Sequence, residues 1–121
     1  MSTITIALIF FVAFEHLYFL ILEMFFWTKP KGIKTFGLKS KTFAEETKVL
    51  AANQGLYNGF LAAGLVYSII QNDLNAAVFF LICVTIAGIY GSYSTKKIRL
   101  FYAQGIPALI ALIVIFVHLN N

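Results

Sequence analysis

Three ionisable side chains, Glu15, His16 and Glu23, interrupt an otherwise apolar run from about Ile4 to Trp27. In hydrocarbon a charged group costs at least about 2.5–3.5 kcal/mol near the bilayer centre. Hydrogen bonding alone would be met by a neutral amide, so these residue types point to proton exchange or cation binding. Histidine is the side chain that changes charge near neutral pH, and His16 reads equally as a proton carrier or as a satisfied buried histidine. Glu23 follows His16 by two helical turns, about 10 Å along the axis. At about 100° per residue, Glu15, His16 and Glu23 share a wedge about 100° wide, which must face other helices. Two carboxylates and a histidine on one face invite a metal, yet the spacing matches no established ligand motif, and no metal is assigned. The lone Cys83 sits in an apolar segment with no thiolate-stabilising neighbour and reads as a small hydrophobe. His118 suits the membrane interface. No Ser-His-Asp order, phosphate loop or dinucleotide fingerprint occurs, so no cofactor is expected.

A second polar set lies further along. Asn53, Gln54, Tyr57 and Asn58 fall within about 140° of one another on a helical wheel. Ala52, Gly55, Gly59 and Ala63 form a small-residue stripe about 90° further round, spaced to let helix backbones approach closely. Gln104 stands near Pro107, whose missing N–H frees the carbonyl of Ala103 one turn earlier. Gly88 and Gly91 permit a close contact or a bend, and Tyr90 and Tyr93 suit the interface. Buried amides often only join helices, each contributing well under about 2 kcal/mol; that reading and a binding role stand side by side for Asn53, Gln54, Asn58 and Gln104.

The elements that must position these groups follow from composition. The chain has 121 residues, 60% hydrophobic and only 12% charged, with a mean hydropathy of +0.86. Soluble domains carry about a quarter charged residues, and a chain this short cannot bury so much apolar surface against itself. The expected fold is all-α: one domain over 1–121, a bundle of four transmembrane helices at about 4–27, 49–70, 75–93 and 98–119. The first span lacks the basic start and small-residue cleavage site of a secretory signal. Every one of the nine Lys and Arg residues lies in two segments, Lys29 to Lys48 and Lys96 to Arg99. The positive-inside rule puts both loops in the cytoplasm and both termini outside. Glu23, Asn53, Gln54, Tyr90 and Gln104 then fall in the cytoplasmic half, with Glu15, His16 and Asn58 near the midplane. The implied shape is a polar pocket, Tyr57 included, that opens toward the cytoplasm. Thr42-Phe43-Ala44-Glu45 fits a capping box, starting helix two near Thr42. The lysines read as a topology signal, with attraction to anionic lipid as the alternative. Nucleic acid is a poor partner, because the basic residues sit in loops between long apolar runs.

The strings Glu15-His16-Leu17-Tyr18, Leu22-Glu23-Met24-Phe25 and Leu50-Ala51-Ala52-Asn53-Gln54-Gly55-Leu56-Tyr57-Asn58-Gly59-Phe60-Leu61-Ala62-Ala63-Gly64 carry a resemblance. With Ala87-Gly88-Ile89-Tyr90-Gly91 and Gln104-Gly105-Ile106-Pro107-Ala108, the chain resembles a bacterial family of small four-span membrane proteins catalogued as a domain of unknown function. The resemblance covers nearly the whole chain, implies the fold, and brings no activity with it.

Three functions fit. The first is a plasma-membrane protein binding or moving a small solute or protons, with Glu15 foremost. Its size and mid-helix glutamate resemble small multidrug exporters in architecture, without their motifs, and four short helices would favour a homodimer through the Gly55/Gly59 stripe. The second is a membrane-embedded enzyme acting on a lipid or isoprenoid with His16 and Glu23 as acid and base. The third is a non-catalytic partner whose polar core only specifies assembly.

Overall fold

A computed structural model describes residues 1–121. The chain is all-α, with helices α1 (Thr3–Phe25), α2 (Pro30–Phe36), α3 (Lys41–Ile70), α4 (Leu74–Thr95) and α5 (Ile98–Leu119) and no strand. α1, α4 and α5 are long and apolar enough to cross a membrane. α3 is longer than any of them but less apolar, because Asn53, Gln54, Tyr57 and Asn58 dilute its hydropathy and Lys41 to Lys48 is charged. By length and composition three helices, rather than the expected four, are apolar enough to cross a membrane.

Local signals set the helix ends. Ser2 Oγ accepts the Thr5 N–H at 3.1 Å at the start of α1. α2 begins with Pro30 in its first turn, where a missing N–H costs nothing, and ends at Gly37 in the left-handed region. The Leu38 N–H reaches the Ile33 carbonyl at 3.0 Å and the Gly37 N–H that of Lys34 at 3.3 Å, the paired bonds of a Schellman cap. α3 is capped by Ser40, whose Oγ accepts the Phe43 N–H at 3.0 Å. The expected capping box at Thr42 does not form, because Ser40 supplies a hydroxyl two residues earlier and the helix is already under way at Thr42. α3 ends in a second Schellman cap at Asn72 (φ 51°), and Asp73 accepts the Ala76 N–H at 3.0 Å to open α4. Near its start α5 widens into a π-helical turn, Phe101–Gly105, in which the Ile106 N–H bonds the Phe101 carbonyl. The wide turn stands just before Pro107, whose ring would clash with the Ala103 carbonyl in a regular helix.

The chain divides into two compact units: Met1–Glu15 with Leu61–Asn121, and His16–Phe60. In the first, Ile9, Val12 and Ala13 of α1, Leu65 of α3, Ala77, Leu81 and Val84 of α4, and Ala108, Ala111 and Ile115 of α5 form the core. Gly88 and Gly105 bring the backbones of α4 and α5 together: a Cβ on Gly88 would lie 2.8 Å from the Gly105 nitrogen. Gly91, grouped with Gly88 as a packing residue, would meet nothing within 4 Å. The second unit packs α2 and the ends of α1 and α3. Gly32 lies beneath the Phe26 carbonyl, Trp27 packs on Phe36 with ring centroids 5.1 Å apart, and the Trp27 indole N–H donates to Thr47 Oγ1 at 3.0 Å. Large apolar side chains such as Phe14, Ile86, Ile113 and Phe116 are exposed, as a chain solvated by lipid permits.

Candidate functional site

In the second unit, α1 and α3 meet through glycine. A Cβ on Gly55 would lie 2.8 Å from Met24 Cγ, 3.1 Å from Glu23 Cβ and 3.2 Å from the Leu20 carbonyl oxygen; one on Gly59 would lie 2.5 Å from Leu20 Cδ1. Hydrogen at Gly55 lets the helices approach this closely, while the atom facing Gly59 is the far end of the flexible Leu20 side chain. Asn58 follows Gly55 by one turn on the same face, and its Nδ2 donates to Glu23 Oε1. Both are buried, Glu23 at 7% exposure and Asn58 at 5%. His16, two turns before Glu23 on α1, is fully buried at 0%, with its ring edge-on to Phe19 at 5.4 Å.

The other residues singled out in the sequence separate from this pair. Asn53, Gln54 and Tyr57 are exposed on α3, whereas Gly55 and Asn58 are buried. A wedge of about 140° is wider than the strip a helix buries, and the buried strip of α3 (Ala44, Ala51, Gly55, Asn58) takes only one edge of it. Ala52 is half-buried, and Ala63 is exposed. Leu20 and Met24 of the same chain lie against Gly55, and Leu20 against Gly59.

In the first unit, Glu15 is half-buried, and its Oε1 is enclosed with no hydrogen-bond partner. Gln104 is half-buried in the π-helical turn, Pro107 follows it, and Tyr90 is exposed. His118 is exposed, with Nδ1 2.8 Å from the Val114 carbonyl oxygen, and Cys83 is half-buried and free. No three His, Cys, Asp or Glu side chains converge as metal ligands would. An open, wholly apolar groove of about 410 Å³ runs along α4 and α5 between Val78, Ile82, Leu112 and Phe116, and none of the polar residues lines it.

Sequence reasoning missed α2 and the Trp27–Thr47 bond. Pro30 and Gly37, a proline at the first helical position and a glycine just past the last, were the available signal for α2; nothing in the sequence marks Thr47 as the acceptor.

An all-α chain with three helices apolar enough for a bilayer and one buried carboxyl–amide pair defines a class, a small helical membrane protein. Residues 10–116 match the family model described as protein of unknown function (DUF1304), and the chain belongs to that family. It is similar to the uncharacterized protein YpaA of Lactococcus lactis subsp. lactis (strain IL1403), 31% identical over 116 residues, covering 93% of this chain and 97% of the relative. No solved structure matches it.

Proposed function

We propose that the chain is a four-span plasma-membrane protein that binds or moves protons or a small solute at the Glu23–Asn58 pair. The four-span count rests on α3 and on charge. α3 has 30 residues, about 45 Å of helix against a hydrocarbon core of about 30 Å. If α4 crosses the membrane, the segments Lys29–Lys48 and Lys96–Arg99 share one side only if α3 crosses too. The positive-inside rule favours that arrangement, with both basic loops cytoplasmic and both termini outside.

The observation that carries the functional reading is the buried hydrogen bond from Asn58 to Glu23. A glutamine at position 23 would make the same bond without the cost of an ionisable group in hydrocarbon. The carboxyl therefore supports a role in which a proton or cation is taken up and released. Glu23 stands within one turn of the end of α1 that leads into the lysine-rich segment, which suits exchange with the cytoplasm. His16 is the next histidine or carboxylate deeper on that helix within the unit. The test is proton flux in proteoliposomes under an imposed pH gradient. Glu23→Gln keeps the bond to Asn58 and should lower flux at least ten-fold; flux equal to that of the wild type would overturn the assignment.

A further inference from the structure

α3 carries a second face that nothing in its own unit covers. Leu50, Asn53, Tyr57 and Phe60 recur at alternating three- and four-residue steps, and all are exposed, Leu50 at 72%, Tyr57 at 58% and Phe60 at 57%. That spacing is the seam of a left-handed helix pair, in which such residues stay aligned against a partner helix over several turns. Its second member is an amide. The side-chain amides of Asn53 and of Gln54 beside it hydrogen-bond to no other residue of the chain. Both lie within the stretch of α3 that the four-span reading places in hydrocarbon, where an unsatisfied amide is costly. Lipid tails offer neither donor nor acceptor, so lipid is a poor cover for this face although it suits Phe14 or Ile113.

We infer that this seam is where two copies of the chain pair in the membrane, α3 against α3 in the same orientation. The amide selects a second copy because it is self-complementary: across a twofold axis each Asn53 can donate to the other's carbonyl oxygen and accept from its NH₂ group. A single asparagine in an otherwise apolar seam also fixes register, since sliding by one step would leave both amides unpaired. Tyr57 and Phe60, with rings 6.1 Å apart, supply large rigid contact area beside it. The opposite face of α3 is used up by Leu20 and Met24 on Gly55 and Gly59, so each face of the helix has one occupant. This inference rests on α3 lying in the membrane and is independent of what Glu23 does.

The experiment is oxidative cross-linking of the full chain in native membranes, in a Cys83→Ala background. Leu50→Cys, Asn53→Cys and Tyr57→Cys should each give a species of twice the chain mass, while Ala52→Cys and the exposed control Phe14→Cys should not. In liposomes, Asn53→Leu should weaken energy transfer between labelled copies, raising the dissociation constant about five- to ten-fold. Equal cross-linking at Phe14→Cys would mark random collision. An adduct of another mass would mark a different partner, and absence of any dimer would leave the seam to lipid. Each of these three results overturns the inference, and none of them bears on the proton-flux result for Glu23.

Discussion

Replacing Gly88 with alanine tests the close backbone approach of α4 and α5. An ideal Cβ there would stand 2.8 Å from the nitrogen and 2.9 Å from the Cα of Gly105, with the Gln104 carbonyl carbon at 3.5 Å. These are backbone atoms of a neighbouring helix, so no side chain can swing aside. Van der Waals separations of about 3.5–4.0 Å require α4 and α5 to part by roughly 0.6–1.2 Å at this point. A gap of that size forfeits roughly a quarter to a half of the dispersion energy for the contacts beside it, here those of Leu81, Val84 and Ala108 in the core. Overpacking of this kind costs about 1–3 kcal/mol, and alanine's better helix propensity returns up to about 1 kcal/mol. Gly88→Ala should therefore destabilise by about 1–2 kcal/mol, measured by reversible unfolding in sodium dodecyl sulfate followed by helical circular dichroism. Gly91→Ala is the matched control. It sits three residues away on the same helix, where a Cβ meets nothing within 4 Å, and should be neutral or stabilising by up to about 1 kcal/mol. If the two variants unfold alike, the close contact does not govern the packing of α4 on α5.

Two further outcomes follow from the site and the orientation. Asn58→Leu should destabilise by about 1–3 kcal/mol because it strands a buried carboxyl, and adding Glu23→Met should recover most of that loss; a double variant as unstable as the sum of the singles would mean that the pair is not coupled. With Cys83 replaced by alanine, Thr42→Cys should react with a membrane-impermeant maleimide only after the cells are opened. Asn120→Cys should react in intact cells, and the reverse pattern would invert the topology.

Much of this was legible in hydropathy. The apolar runs fixed α1, α4 and α5 to within two residues, since long stretches rich in Leu, Ile, Val and Phe leave a helix no competitor in lipid. The contact of Asn58 with Glu23 was half legible. Gly55 one turn earlier marked the side of α3 on which a neighbour could come close, and helix one held the carboxyls. Asn53, Gln54 and Tyr57 were placed inward by the membrane rule that polar groups in hydrocarbon face other helices. That rule does not say whether the partner lies within the same chain, and a wheel does not say which polar groups find one there. The cap at Ser40 rather than Thr42 shows a smaller limit of the same kind: two hydroxyls of equal chemistry lie two residues apart, and the backbone chooses between them.

The π-helical turn at Phe101–Gly105 also bears on how this chain can change length. Such a turn is an α-helical turn carrying one surplus residue, and here that residue stands beside Pro107. Deleting it alone would return the proline ring to a regular ladder, against the carbonyl of the preceding turn. Replacing the proline alone would leave a wide turn with no reason to stay open. The insertion and the proline are thus each tolerable because of the other, and lineages of this family should gain or lose them together, with the inward order of Ala108, Ala111 and Ile115 undisturbed.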